Sequence, residues 1–258
     1  MSALKVATIQ TQLHWEDIDA NLAMFGEKIA SMPEKADVIV LPELFSTGFS
    51  MNTELAESQD GKAMQWMQQT AAMHNTAICG SLMMKNRHDV FNRFVWMNPN
   101  GIYHVYNKRH LFRMGNEHEH YKAGNEKLII DFKGFKIQLL VCYDLRFPVW
   151  SRRTLKENYD ALFIVANWPE RRSEHWKTLL QARAIENQCY VIGVNRVGRD
   201  GKDISHSGDT SFIDARGKII YRKTDEEHIA VHVLEKETVT MYRMDFPAMN
   251  DADEFTLL

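Results

Sequence analysis

Short apolar runs with period-two alternation exchange along the chain with longer segments whose apolar residues recur every three or four positions, the rhythm of an α/β protein. Leu4-Lys5-Val6-Ala7-Thr8-Ile9-Gln10 alternates as a strand, and from Asp17 to about Ser31 the residues Ile18, Leu22, Phe25 and Ile29 share one helix face. Ala36 to Leu41 is a short apolar strand stopping at Pro42-Glu43, so a β-α-β unit with a parallel neighbour is predicted. Gly61 to His74 predicts a helix and Thr76 to Leu82 a strand. Asn92 to Met97 and Tyr103 to Tyr106 flank Asn98-Pro99-Asn100-Gly101, a hairpin with an Asn-Gly turn signal. Lys133-Gly134 turns a second hairpin inside Leu128 to Val141. Val149 to Asn158 reads as a helix, Tyr159 to Val165 as a strand, and Arg172 to Gln188 as a long helix. The long helix turns Trp176, Leu179, Leu180, Ala184 and Ile185 inward, and the strand Cys189 to Asn195 follows it directly. Gly208 to Asp214, Gly217 to Tyr221 and Ile229 to Val233 close the chain as strand, turn and strand. This order predicts two similar α-β halves, packed with helices outside two sheets.

The length of 258 residues fits one domain, 1-258, with a tail from about residue 236. Met241-Tyr242-Arg243-Met244-Asp245-Phe246-Pro247 in that tail mixes apolar and charged residues and suits docking on its own body or on a partner subunit. A net charge of −3, with Lys108-Arg109 and Arg171-Arg172 only pairs, argues against nucleic acid or an anionic membrane as partner. No apolar run has the length of a bilayer span, and Met1-Ser2-Ala3-Leu4-Lys5 enters a strand pattern with no signal-peptide core. A soluble, cytoplasmic protein is expected. The three cysteines, Cys79, Cys142 and Cys189, are far apart and form no C-x-x-C, so neither a disulfide framework nor structural zinc is expected. His118-Glu119-His120 lacks H-E-x-x-H spacing and reads as a polar loop rather than a metal site.

Candidate chemistry gathers at strand ends. The run Ile137-Gln138-Leu139-Leu140-Val141 stops at Cys142-Tyr143-Asp144, and Pro148 then opens a helix pattern. Cys142 thus falls at a strand-to-helix turn, where the helix start is expected to stabilise a thiolate; the alternative is a small buried hydrophobe. Glu43, between apolar neighbours, is either a salt-bridged residue or a base raised by desolvation. Lys108 stands in Asn107-Lys108-Arg109-His110-Leu111-Phe112, ahead of a long irregular segment reaching Gly124-Asn125, the kind of segment that is often functional. Cys79 is the rival nucleophile, but it lies within a strand pattern with no helix start after it. Glu43, Lys108 and Cys142 together supply what amide hydrolysis by a thiol needs: a proton acceptor, a cation for the oxyanion, and the nucleophile.

Leu41-Pro42-Glu43-Leu44-Phe45, Asn107-Lys108-Arg109-His110-Leu111-Phe112 and Cys142-Tyr143-Asp144-Leu145-Arg146-Phe147-Pro148 resemble, in order and spacing, the motifs of the nitrilase, or carbon–nitrogen hydrolase, superfamily. The resemblance spans essentially the whole chain. It implies a four-layer α-β-β-α sandwich with Glu43 as general base, Lys108 and the Tyr143 N–H as oxyanion donors, and Cys142 as nucleophile. It also implies a second buried glutamate after the lysine, Glu117, with Glu119 as the alternative. Ala166-Asn167-Trp168-Pro169-Glu170-Arg171-Arg172 and Ala182-Arg183-Ala184-Ile185-Glu186-Asn187-Gln188 resemble the Nit branch and its bacterial omega-amidases. That similarity implies hydrolysis of the terminal amide of small α-keto acid monoamides, such as 2-oxoglutaramate or 2-oxosuccinamate, with no cofactor and no metal. A substrate carboxylate calls for an Arg fork: Arg172 is the first candidate and Arg146 the second, unless Arg146 is a buried partner of Asp144 or Glu186. Trp168 and Phe45 are either apolar walls of the pocket or plain core aromatics. N-carbamoyl amides, deaminated glutathione or nitriles are alternative substrates on the same triad, and an inert metabolite-binding scaffold is the non-enzymatic alternative. The family resemblance further implies a homodimer.

Overall fold

The computed structural model describes residues 2–256. Its first strand, β1 (Ala3–Gln10), sends Leu4 and Val6 into one hydrophobic core and Ala7 and Ile9 into another, all buried. Period-two alternation on a strand covered on both faces has this result. After α1 (Ile18–Ala30), β2 (Val38–Val40) repeats it, with Val38 and Val40 on one side and Ile39 on the other. Then come α2 (Lys62–His74), β3 (Ala77–Asn86), β4 (Asp89–Met97), β5 (Tyr103–Asn107) and the short α3 (Glu117–His120). The second half runs β6 (Ile129–Phe132), β7 (Phe135–Val141), α4 (Pro148–Ser151), β8 (Ala161–Ala166), α5 (Ser173–Asn187) and β9 (Tyr190–Asn195). It closes with β10 (Val197–Arg199), β11 (Ser205–Ile213), β12 (Ile219–Thr224), β13 (His228–Glu235) and α6 (Lys236–Asp245).

These strands form a six-stranded sheet in the order β13-β1-β2-β3-β4-β5 and a seven-stranded sheet in the order β10-β11-β9-β8-β7-β6, with β12 pairing to β11. The pairs β1–β2, β2–β3, β7–β8 and β8–β9 are parallel, as the β-α-β pattern predicts, and hairpins complete both sheets. One core lies between the sheets, where Leu4, Val6, Val38 and Cys79 meet Leu139, Val141 and Phe163. Phe25 and Ile29 of α1 and Met64 and Met67 of α2 cover the outer face of the first sheet. Trp176 and Leu180 of α5 seat against β9 at Gly193, where a Cβ would stand 2.6 Å from Leu180, so only glycine allows this approach. The expected α-β-β-α sandwich of a single domain results.

Two expectations about helices need correction. The helix expected over Val149 to Asn158 stops at Ser151. Arg153 instead gives its backbone N–H to Asn187 Oδ1 at 2.9 Å and its Nε to Asn187 O at 2.7 Å, while the Tyr159 hydroxyl donates to Ser151 O at 2.5 Å. Polar anchoring to α5 replaces the helical ladder there, which apolar periodicity does not register. The buried face of α5 carries Trp176, Leu180, Arg183, Ala184 and Asn187, leaving Ile185 51% exposed. The tail docks on its own body: Lys236 pairs with Asp160, Arg243 Nη2 donates to Tyr159 O at 2.6 Å, and Gln188 Nε2 donates to Phe246 O at 2.7 Å. Among the described residues no helix is long and apolar enough to cross a membrane.

Candidate active site

Four segments leave strands near one end of the sandwich: Pro42-Glu43 after β2, Lys108 after β5, Cys142 after β7, and Asn167 after β8. Strand ends in an α/β sheet are where polar groups can face a crevice while the strand stays in the core. Glu43, Lys108 and Glu117 are all fully buried there. Lys108 Nζ lies 2.9 Å from Glu43 Oε1 and 2.9 Å from each carboxylate oxygen of Glu117. Asn92 ties the two carboxylates together, giving Nδ2 to Glu43 Oε1 at 2.8 Å and to Glu117 Oε1 at 3.1 Å. Asn92 is held in turn by Ser81, whose hydroxyl donates to its Oδ1 at 2.8 Å. The backbone N–H of Asn167 donates to Glu43 Oε2 at 2.7 Å, and that of Phe112 to Glu117 Oε2 at 2.6 Å. Buried ionic groups persist only when paired and hydrogen-bonded in this way.

The electrostatics follow from the arrangement. Burial opposes charge on Lys108, but Glu117 and Glu43 outweigh it and hold the ammonium well above the ordinary lysine range. Burial pushes the Glu117 carboxyl up, with Lys108 pulling against it and Glu43 adding to it. Burial also pushes the Cys142 thiol well above its usual value, and the negative charge of Glu43 adds to the rise while Lys108 opposes it. A thiolate is therefore not stabilised by a helix start at rest, contrary to the expectation from sequence. Cys142 opens a five-residue 3-10 turn, and the α-helix behind it, α4, has only four residues, too little for an effective dipole. At rest the sulfur keeps its proton.

Cys142 has φ 47°, the left-handed region that a non-glycine residue enters only when its surroundings over-determine it. Asp144 supplies the constraint. Its Oδ2 accepts from Val141 N at 3.1 Å and from the Tyr106 hydroxyl at 2.7 Å, and its Oδ1 accepts from His110 N at 2.9 Å. The turn bearing the thiol is thus tied to the segment bearing Lys108. Cys79, the rival, is fully buried between the sheets, where desolvation raises its thiol well above the usual value.

A cleft of about 230 Å³ opens at Cys142, lined among others by Tyr143, Phe49, Phe112, Asn167 and Trp168. Arg146, Arg171 and Arg172 line it too. Arg146 lies 4.7 Å from the centre of the Trp168 ring and Arg172 5.2 Å from that of Phe112, both within cation–π range. Burial, with Arg171 and Arg146 nearby, lowers the Arg172 guanidinium, though an arginine in water-accessible surroundings stays charged. Arg146 is not the structural partner of Asp144 or Glu186: Tyr106 and His110 take Asp144, and Arg183 pairs with Glu186 at 2.9 Å. Phe45, considered as a wall of the pocket, instead packs in the core against Phe25 and Trp66, beside Gly80. Glu117, not the exposed Glu119, stands beside Lys108.

Sequence reasoning missed Asn92, Asp144 as a clamp, and Asn167 as a partner of Glu43. Their signals were present, since Asn92 opens the strand pattern read over Asn92 to Met97, which in the fold begins at Asp89, and Asn167 follows an apolar strand, but single asparagines at the ends of such patterns read as ordinary turn residues. Among the described residues no cluster of three or more His, Cys, Asp or Glu side chains is arranged to hold a metal ion.

With this geometry in view, comparison with known proteins gives the class. The carbon-nitrogen hydrolase family model matches residues 5–244, and the chain belongs to that family. It is 45% identical over 260 residues to the omega-amidase YafV of Escherichia coli K12, covering 100% of both chains. It is 37% identical over 250 residues to the 2-oxoglutaramate amidase of Bacillus subtilis, covering 95% of this chain and 96% of that one. Among solved structures, a CN-hydrolase superfamily protein from Xanthomonas campestris with an arsenic adduct in its active site has a TM-score of 0.97 and 40% identity, with 100% of each chain covered.

Proposed function

We infer that the protein is an omega-amidase, cleaving the terminal amide of small α-keto acid monoamides such as 2-oxoglutaramate or 2-oxosuccinamate to the dicarboxylate and ammonia. The observation that carries this reading is the buried Glu43–Lys108 pair acting electrostatically on the thiol of Cys142, at a cleft that also carries Arg146, Arg171 and Arg172. The full-length likeness to an omega-amidase and to a 2-oxoglutaramate amidase supports the substrate class.

Because the resting thiol is protonated, attack and proton transfer go together. Cys142 Sγ bonds to the amide carbon as its proton passes to Glu43. The carbonyl oxygen gathers negative charge and is held by Lys108 and by the N–H of Tyr143. Lys108 Nζ contacts Glu43 Oε1 and both oxygens of Glu117, so one of its three N–H groups turns from Glu117 to the oxyanion as charge develops there. Collapse of the intermediate breaks the C–N bond, and the nitrogen departs as ammonia with the proton from Glu43. A thioester remains. Glu43 then takes a proton from water as its oxygen attacks the thioester carbon, and the sulfur leaves with that proton restored. Glu117 keeps Lys108 charged and aimed. Arg172, with Arg146 second, receives the distal carboxylate, and Trp168 forms an apolar wall.

The same reading places the enzyme in the cytoplasm, in keeping with its three unpaired cysteines, and makes it a homodimer. Support for a dimer comes from α6, which docks on its own body yet leaves Met241 and Met244 exposed. The test of function is ammonia release from 2-oxo acid monoamides, N-carbamoyl amino acids and nitriles, by the wild-type protein and by Cys142→Ala. Turnover of the monoamides that vanishes in Cys142→Ala is expected. Preference for a carbamoyl compound or a nitrile would overturn the substrate, and near-normal turnover by Cys142→Ala would overturn the nucleophile.

A further inference from the structure

Asn167 follows β8 and is 5% exposed. Its backbone N–H donates to Glu43 Oε2, and its Nδ2 donates to the Glu43 carbonyl at 2.5 Å. The second contact fixes the orientation of the carboxamide. A carbonyl oxygen accepts only from the NH2 group, and turning the amide over would set oxygen against oxygen. Oδ1 is therefore the free branch, and it is buried with no hydrogen-bond partner among the described residues. An acceptor left in that state costs stability, so it calls for an explanation.

Asn195, the last residue of β9, shows what a structural asparagine at a strand end does. Its Oδ1 accepts from Trp168 N at 2.8 Å and Arg196 N at 2.9 Å, and its Nδ2 donates to Trp168 O and Gly208 O at 3.1 and 2.8 Å. Every polar atom of that side chain is used. Asn167 differs in lining the cleft together with Cys142 and Tyr143, and in touching Glu43. The free acceptor thus belongs to a residue in direct contact with the general base of the proposed cycle.

We propose that Asn167 Oδ1 accepts a hydrogen bond from the NH2 group of the substrate amide and, once ammonia has left, from the water that opens the thioester. The inference rests on the amidase reading and adds a catalytic residue to it. Lys108 can only donate, and the oxygens of Glu43 already accept from Lys108, Asn92 and the Asn167 N–H. An N–H donor in the cleft needs another acceptor. As the nitrogen takes the proton from Glu43 it gains positive charge, so a bond to Asn167 strengthens toward the transition state. Water brings the same kind of donor to the same place in the second half of the cycle. Neither an ester oxygen nor a nitrile nitrogen carries a hydrogen, so this acceptor selects amides over both.

The test uses Cys142→Ala protein, in which ligands bind without reacting, and compares the monoamide succinamate with monomethyl succinate by calorimetry. Tighter binding of the amide is expected, with the amide-to-ester preference falling about tenfold when Asn167→Ala is added. A preference that is absent from Cys142→Ala or unchanged by Asn167→Ala would overturn the proposal. A uniform loss with both ligands would do the same, since that is the mark of a scaffold. Should the double variant fail to fold, a crystal structure of Cys142→Ala with succinamate decides: the amide nitrogen within hydrogen-bond distance of Asn167 Oδ1 supports the proposal, and an amide directed elsewhere refutes it. Ammonia release by the wild-type enzyme tests the amidase reading separately, because that activity can stand while the binding preference fails.

Discussion

The deep wall, a buried cluster behind the residues that line the cleft, and the mouth of the cleft are built on opposite plans. On the deep side Glu43, Lys108, Glu117 and Asn92 are completely buried and bonded to one another, and Asp144 ties the turn of Cys142 to the lysine segment. At the mouth Arg171 is exposed, Arg146 and Arg172 are half-buried, and their contacts are aromatic faces and the exposed His175. Charges removed from water are worth most to a reaction whose charge develops at a known point, and they need rigid partners to stay charged. Solvated guanidinium groups bind a carboxylate while remaining adjustable. On the proposed reading the contrast separates chemistry from selection: the deep wall sets how the amide is cut, and the mouth which acid is cut from it.

The largest expected break in this comparison is Lys108→Met. In the proposed cycle, removing the ammonium takes away an oxyanion donor and leaves Glu43 and Glu117 facing each other, so kcat is expected to fall about 10²–10³-fold in a folded but less stable protein. Steady-state kinetics beside a thermal melt checks both parts, and a small change in kcat would detach Lys108 from the chemistry. Phe45→Ala probes the core behind Glu43. A loss of about 3–5 kcal/mol of stability is expected in denaturant titrations, with KM unchanged, because Phe45 packs on Phe25 and Trp66. A raised KM would return Phe45 to the pocket wall. At the mouth, Arg172→Met is expected to raise KM for 2-oxoglutaramate by about tenfold, one charge-assisted contact, while kcat stays within about twofold; Arg146→Met should do less. Equal losses in kcat would blur the boundary between wall and mouth.

The smallest effect concerns pH. Burial holds the thiols of Cys142 and Cys79 well above 9.0, their usual value. The unfolded chain releases these protons first, so their contribution to stability is complete below pH 9.0 and is lost as pH rises beyond it, by up to about 1.4 kcal/mol per pH unit for each thiol. Denaturant midpoints from pH 8 to 10.5 should decline, and decline less in Cys142→Ala. An equal decline would place the Cys142 proton elsewhere.

Much of the deep wall was legible in the sequence because motif residues sit where a strand pattern breaks. Glu43 and Cys142 each follow an apolar run, placed by alternation through Val38-Ile39-Val40 and Leu139-Leu140-Val141, and Lys108 follows the mixed strand Tyr103–Asn107. The hairpin at Lys133-Gly134 was also readable, and both residues take positive φ, 49° and 82°. What could not be read depends on partners distant along the chain. Asn167 meets Glu43 across 124 positions, and Arg153 is drawn from a helix by Asn187. Phe45 and Trp168 were indistinguishable by composition, since each is an aromatic near a strand end. The sheet on which Phe45 packs buries it on the helix side, whereas Trp168 faces the cleft. The expected stabilisation of a thiolate failed because local pattern marks the start of a helix more readily than its length.

The most direct measurement of the central claim follows alkylation against activity. Cys142 is 9% exposed, whereas Cys79 and Cys189 are completely buried. Wild-type protein treated with limiting iodoacetamide and mapped by peptide mass spectrometry should lose ammonia release from 2-oxoglutaramate in proportion to label on the peptide containing Cys142, with Cys79 and Cys189 unlabelled. Full activity in protein whose Cys142 is alkylated, or loss of activity with Cys142 still free, would contradict the account.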